Sequence, residues 1–121
     1  MKIICEVELE GLPPSVNKMY GISRYGKYKL NKVSEWQAQA VEKIKDKCNN
    51  DSYLGDVELN VILRSNSRRR WDIDNRVKAL QDCLQFAGVI ENDSQVQKLT
   101  VERVKGSSDM TFVRVSEYGI Y

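Results

Sequence analysis

The sequence predicts an α+β fold in which one mixed β-sheet has two helices packed on it. The first observation is the order of elements that hydrophobic periodicity indicates along the 121 residues: strand, helix, strand, helix, strand, strand. The second is composition, since 41% hydrophobic and 30% charged residues are typical of a globular chain. Because a domain usually holds roughly 100–200 residues, we expect residues 1–121 to form a single domain.

Residues 2–10 predict the first strand, because apolar and polar side chains alternate along them. The apolar side chains that would share one face are Ile3, Cys5, Val7 and Leu9. Gly11 and the prolines after it end this strand. Residues 16–33 contain Gly21 and Gly26 and predict a loop or an irregular hairpin.

A helix is predicted from Ser34 to residue 49. Ser34 and Gln37 have the spacing of a capping box, which satisfies backbone amides at a helix N-terminus. The apolar stripe at helical spacing consists of Trp36, Ala40, Val41, Ile44 and Cys48.

The second half of the chain predicts a second helix and the remaining strands. Residues 56–64 alternate as a strand, with inward side chains at Val57, Leu59, Val61 and Leu63. Residues 73–87 predict a helix that stops at Gly88, a residue type common after helix C-termini. Its inward side chains are Val77, Leu80, Leu84 and Ala87. Strands over 96–105 and 111–118 complete the sheet.

Positive charge is concentrated in two segments. Residues 18–32 and 64–78 together carry 11 Lys or Arg and two Asp, a net charge of +9, whereas the other 91 residues carry −7. The first segment also contains Tyr20, Tyr25 and Tyr28, whose rings can pack on sugars or unstacked bases. This asymmetry predicts a face that binds a polyanion, and the alternative is that these loops are simply rich in lysine.

Missing residue types narrow the possible chemistry. The chain has no histidine, which excludes Ser-His-Asp and Cys-His catalysis and histidine-ligated zinc. Its three cysteines include no C-x-x-C pair and predict reduced, buried thiols. No glycine-rich phosphate loop occurs, so no nucleotide cofactor is expected.

Carboxylates and a lysine cluster around the start of the second predicted helix. Asp72 and Asp74 follow an arginine run, Lys78 lies one turn beyond Asp74, and Asp93 lies in the turn after the helix. Neighbouring carboxylates favour a hard divalent cation, and a lysine beside them could stabilise charge on a phosphate. The alternative is that the aspartates cap helices or turns and that Lys78 is an ordinary solvated side chain.

Three segments resemble the RusA family of Holliday junction resolvases. Arg68–Leu80 is similar to that family's basic run followed by D-x-D-N and a lysine one turn on. Gly88–Val96 resembles the family's motif G-[hydrophobic]-[hydrophobic]-x-[DN]-D-x-Q-[hydrophobic], which contains the third aspartate. Leu12–Tyr20 resembles the family's P-P-S-x-N-x-x-Y loop. The order and spacing of all three agree from end to end of the chain. One departure is Trp71, which stands where the family has a basic residue and could stack on DNA or anchor its loop in the core.

The resemblance implies a metal-dependent endodeoxyribonuclease that nicks two opposed strands of four-way DNA as a homodimer. It implies that Asp72, Asp74 and Asp93 bind Mg²⁺, with Mn²⁺ as a possible substitute, and that Lys78 is the essential lysine. The residues expected to contact DNA are Asn17, Lys18, Tyr20, Lys27, Arg68, Arg69, Arg70 and Arg76. The alternatives are a non-catalytic protein that binds branched DNA or RNA, and a metal-dependent nuclease of broader substrate range.

Two further expectations concern partners and location. Ile62 and Phe86 are apolar residues on the expected solvent side, so they are candidates for a dimer interface, and simple core packing is an equally open alternative. No apolar run is long enough to cross a membrane, and Met1–Glu6 do not resemble a signal peptide. We therefore expect no membrane partner and a location in the cytoplasm of a bacterium or of a phage-infected host.

Overall fold

The computed structural model describes most of the chain. The described residues are 2–15, 20–23, 26–29, 31–48, 51–68, 71 and 73–119. The regular elements in chain order are β1 (Ile3–Glu10), β2 (Tyr20–Ser23), β3 (Gly26–Lys29), α1 (Asn31–Lys47), β4 (Val57–Ser65), α2 (Asp74–Phe86), a 3-10 turn (Asp93–Gln95), β5 (Val96–Lys105) and β6 (Met110–Glu117).

One mixed sheet of four strands, in the order β1-β6-β4-β5, forms the centre of the fold. The β4–β5 pair is parallel, while β1–β6 and β4–β6 are antiparallel. Because a parallel neighbour needs a long connection, the chain passes through α2 between β4 and β5. β2 and β3 form a separate antiparallel hairpin. The predicted α+β class is confirmed, and within the predicted range 16–33 the described strands β2 and β3 pair as in a hairpin, whereas residues 31–33 belong to α1.

The core lies between one face of the sheet and the two helices. Strand periodicity correctly identifies the buried face of β4, whose inward side chains are at most 1% exposed. The predicted inward residues of α2 are buried as well, and on α1 the stripe is buried at Ala40 and Ile44. On β1, Cys5, Val7 and Leu9 are buried, whereas Ile3 at the start of the strand is half-exposed.

The predicted start of α1 is wrong. The helix begins at Asn31, so Ser34 lies inside its first turn and is not the N-cap. Neither proline nor glycine occurs between residues 31 and 34 to stop the helix from extending in the N-terminal direction. Gln37 is buried, and its Nε2 donates to the Ala79 carbonyl oxygen of α2 at 3.3 Å. Its amide therefore joins the two helices, where the sequence predicts a capping role.

The prediction of three reduced cysteines is wrong for two of them. Cys5 on β1 and Cys48 after α1 form a disulfide, with their Cα atoms 5.3 Å apart. The pair is 43 residues apart in sequence, so only the packing of α1 beside β1 brings the two sulfurs together. Cys83 is buried and reduced as predicted, and its thiol donates to the Gln37 carbonyl oxygen at 3.9 Å.

At the end of α2 the chain turns back toward the predicted site residues on this helix. Gly88 has a φ of +80°, a conformation that favours glycine, so the predicted stop is confirmed. Ile90 then forms a parallel bridge with Tyr53, and the Tyr53 amide donates to the Val89 carbonyl oxygen at 3.0 Å. These contacts place the 3-10 turn beside α2. Within the ranges given above, no helix has the length and apolar character needed to cross a membrane.

Candidate active site

The N-terminal turn of α2 presents Asp74 and Lys78 on one face. Asp74 is the first residue of the helix and is exposed, and Lys78 lies four residues further on. The N-cap position is Ile73, which makes no side-chain hydrogen bond to the helix amides. Among the described residues no side chain caps this N-terminus, and its partial positive charge favours the negative charge of Asp74.

The turn that carries Asp93 is capped by other residues. The Asn92 side chain accepts a hydrogen bond from the Ser94 amide at 2.9 Å, and the Gln95 Oε1 accepts from the Asn92 amide at 3.0 Å. Together they form a capping box around the turn. The alternative role of Asp93 as a cap is therefore filled by Asn92, and the Asp93 carboxylate is available for other contacts.

Two glutamines fix the backbone of this turn. Gln85 on α2 accepts a hydrogen bond from the Asp93 amide at 3.1 Å. On the other side of the turn, Gln95 Nε2 donates to the carbonyl oxygens of Tyr53 at 2.7 Å and Gly55 at 2.8 Å. The turn is thus tied both to α2 and to the segment before β4, which sets the position of Asp93 relative to the helix.

Lys78 connects α2 to the Asp93 turn. Its Nζ is 3.5 Å from Asp93 Oδ2 and 3.1 Å from Asp82 Oδ1, one turn further along α2. The side chains of Lys78, Asp82 and Asp93 are 52%, 16% and 41% exposed. The hydrogen bond and charge of Asp82, followed by a smaller effect of Asp93, raise the pKa of Lys78. Lys78 is therefore a stable ammonium group that faces two carboxylates.

The sequence alone does not show whether the turn that carries Asp93 folds back beside Asp74 and Lys78. The contact with Lys78 shows that it returns to α2, one helical turn from Asp74. Asp72 lies outside the described residues, so its convergence with Asp74 stays a prediction.

The expected DNA contacts fall in several places. Arg68 is exposed just after β4. Tyr20 and Lys27 lie on the strands of the β2–β3 hairpin, where the backbone is described. Asn17, Lys18, Arg69 and Arg70 lie outside the described residues. Their contacts with DNA stay predictions.

Arg76 is partly buried and engaged within the protein. Its Nη1 donates to the Pro13 carbonyl oxygen at 2.9 Å, and its guanidinium lies 4.6 Å from the centre of the Trp71 ring. Arg103 lies 4.4 Å from the same ring. Burial, with a smaller effect of Arg103, lowers the pKa of Arg76 against the opposing effect of Asp109. Arg76 thus links α2 to the loop after β1, and Trp71 is partly buried and packs against the core.

The donor chemistry of the described part of the site fits a hard cation. Asp74 and Asp93 offer carboxylate oxygens, the ligands that Mg²⁺ and Mn²⁺ prefer, and the sequence contains no histidine. Without Asp72, the described residues contain no group of three acidic or cysteine side chains placed to hold a metal ion. The complete ligand set that the sequence predicts therefore depends on Asp72.

Sequence reasoning missed three polar residues of this site. Asp82 had a usable signal, because it is four residues from Lys78 on the same helix. Gln95 is part of the motif around Asp93 but was assigned no role. Gln85 gave no signal, because its contact with the Asp93 amide spans eight residues of sequence and depends on how the chain turns after Gly88.

The chain is similar in sequence to proteins described as endodeoxyribonucleases. A family model described as endodeoxyribonuclease RusA matches residues 10–116, a range that includes every predicted site residue. The crossover junction endodeoxyribonuclease RusA of Aquifex aeolicus (strain VF5) is 27% identical over 115 residues, which cover 93% of this chain and 91% of that relative.

Proposed function

We propose, from the premise that this chain belongs to the RusA family of endodeoxyribonucleases, that it resolves Holliday junctions by paired, symmetric, metal-dependent nicks in DNA. The observation that carries the proposal is the contact between Lys78 and Asp93. A capping role for Asp93 would leave this contact unexplained, since Asn92 and Gln95 already cap the turn.

In this proposal Asp72, Asp74 and Asp93 hold Mg²⁺, with Mn²⁺ as a possible substitute. When bound, the ion supplies Lewis-acid polarisation of the phosphate and an activated water. The described carboxylates suit this role because both remain accessible. Asp74 is exposed at the N-terminus of α2, and the Asp93 side chain is 41% exposed.

Lys78 supplies a positive charge beside these carboxylates. A lysine is protonated at neutral pH, and the two carboxylates raise the pKa of Lys78 further, so its ammonium can stabilise negative charge that develops on the scissile phosphate or the leaving oxygen. The position of Nζ beside Asp93 places this charge next to the proposed metal ligands.

The proposed substrate is four-way DNA bound along the basic segments. Arg68 is exposed and can reach a phosphate, and the other predicted contacts would extend the same face. Paired nicks require two sites related by a dyad, so we infer a homodimer. Ile62 and Phe86, 40% and 61% exposed, are the candidate contact residues. The proposed location is the cytoplasm of a bacterium or of a phage-infected host.

Cleavage of a labelled synthetic four-way junction, beside a linear duplex of the same sequence, tests the proposal. With Mg²⁺ we expect symmetric nicks near the crossover, and without a divalent cation we expect binding and no cleavage. Tight binding without scission in Mg²⁺ and in Mn²⁺ would contradict the proposal and favour a non-catalytic binding protein. Equal cleavage of the duplex would favour a nuclease of broader range.

Arg68→Ala tests the proposed DNA face. Losing one phosphate contact should weaken junction binding and reduce the slope of log affinity against log salt by about 0.9. The measurement is a titration of labelled junction at several salt concentrations in the absence of Mg²⁺. Lys45→Ala, on the exposed face of α1 and outside both basic segments, is the matched control because it also removes one charge. Equal changes in the two variants would argue against a specific contact at Arg68.

A further inference from the structure

We propose that Asp82 is a positioning residue for Lys78, holding its ammonium at the edge of the site when Asp93 is engaged by a metal ion. This inference rests on the proposed function. It assigns a role to a fourth carboxylate beside the three aspartates predicted to bind the metal.

The geometry favours Asp82 as the principal partner of Lys78. Asp82 Oδ1 is 3.1 Å from Nζ, whereas Asp93 Oδ2 is 3.5 Å away. The Asp82 side chain is also much less exposed, so water screens its charge less than that of Asp93. Because Lys78 and Asp82 lie on the same helix, their separation does not depend on the position of the Asp93 turn.

Stabilisation of α2 is a poor explanation for this pair. A helical ion pair four residues apart is stronger when the acid precedes the base, and here the base comes first. Aspartate is also a weak helix former, yet Asp82 lies well inside the helix Asp74–Phe86. A contact of this kind contributes little to the helix itself, but it restricts a lysine whose own side chain is half-exposed.

The two carboxylates have different roles in the proposed reaction. Asp93 is a predicted metal ligand. A carboxylate that is bound to a cation attracts the Lys78 ammonium less strongly than a free one does. Asp82 contacts Lys78 from the same helix and is not one of the predicted ligands. Asp82 therefore keeps the ammonium in place, and without Asp82 the half-exposed lysine can leave the site.

The test combines Asp82→Asn and Lys78→Ala in a double-mutant cycle. Asp82→Asn alone should lower kcat for junction cleavage in Mg²⁺ by about 10- to 100-fold, as expected for a residue that orients a catalytic group. KM and metal-free junction binding should change far less. In the Lys78→Ala background, Asp82→Asn should cause no further loss, because the group that Asp82 positions is already absent.

Two additional variants and one measurement without metal complete the experiment. Asp82→Glu keeps the carboxylate and should retain more activity than Asp82→Asn. Asp46→Asn, an exposed acid on α1, is the control and should leave kcat unchanged. In the metal-free protein, the ¹⁵Nζ resonance of Lys78 should move in Asp82→Asn and stay in place in Asp46→Asn.

The outcomes separate the inference from the function on which it rests. Absence of metal-dependent cleavage by the unmodified chain overturns the proposed function. Normal kcat in Asp82→Asn overturns the positioning role while the nuclease stands. The positioning role is also overturned if Asp82→Asn lowers kcat by the same factor with and without Lys78 and lowers the melting temperature. Asp82 would then act on the fold as a whole.

Discussion

Asp93→Asn is expected to abolish metal-dependent junction cleavage while leaving the fold and junction binding intact. The proposed ligand role requires a carboxylate, and an amide is a poor substitute in charge and in affinity for Mg²⁺. Loss of several kcal/mol of metal-assisted stabilisation corresponds to about 1,000-fold or more in rate, at about 1.36 kcal/mol per factor of ten.

The structure explains why this substitution should hardly affect stability. Gln85 binds the backbone amide of Asp93, and this contact does not involve the Asp93 side chain. The Asp93–Lys78 ion pair is solvent-exposed, so its loss should change the free energy of unfolding by less than about 1 kcal/mol. Removal of a negative charge should also leave phosphate binding equal or tighter.

Asn92→Ala is the matched control at the neighbouring position. It removes the cap of the 3-10 turn and should lower the free energy of unfolding by about 1 kcal/mol. Thermal melts and cleavage rates of both variants measure the two roles separately. A large drop in melting temperature for Asp93→Asn, with activity lost in proportion, would instead assign Asp93 to the structure of the turn.

Local patterns in the sequence predict the central elements well. The alternation along Val57–Ser65 and the helical spacing of Val77, Leu80 and Leu84 depend only on which side chains share a face, and those spacings are fixed by strand and helix geometry. The stop at Gly88 depends on a single backbone angle. Each of these features is encoded within a few residues.

Features that depend on tertiary packing could not be predicted in the same way. The return of Asp93 to Lys78 needs the crossover through α2 and the bridge between Tyr53 and Ile90. The Cys5–Cys48 disulfide likewise needs α1 to pack beside β1. The DNA contact of Arg76 stays a prediction, and no local pattern indicates its hydrogen bond to the Pro13 carbonyl oxygen, which is 63 residues away.

Gln95→Glu is expected to cause a large loss of stability. The Gln95 side chain makes four hydrogen bonds: Oε1 accepts from the amides of Glu91 and Asn92, and Nε2 donates to the carbonyl oxygens of Tyr53 and Gly55. A carboxylate keeps the two acceptor contacts but directs a negative oxygen at two carbonyl oxygens. Since the site is only part-buried, we expect a loss of about 2 kcal/mol, or roughly 6–10 °C in melting temperature.

Gln97→Glu is the appropriate comparison, because it makes the same substitution two residues further along β5. Gln97 is exposed, and its Nε2 donates to the Ser94 carbonyl oxygen at 3.1 Å and to Asp56 Oδ1 at 3.5 Å, contacts that water can replace. We expect its melting temperature to fall by much less. Junction cleavage below the melting transition should fall much further in Gln95→Glu, since this variant breaks the contacts of the Asp93 turn with the carbonyl oxygens of Tyr53 and Gly55. Equal melting temperatures for the two variants would show that the four hydrogen bonds of Gln95 do not hold the turn, because loss of a held turn must cost more than loss of two exposed contacts.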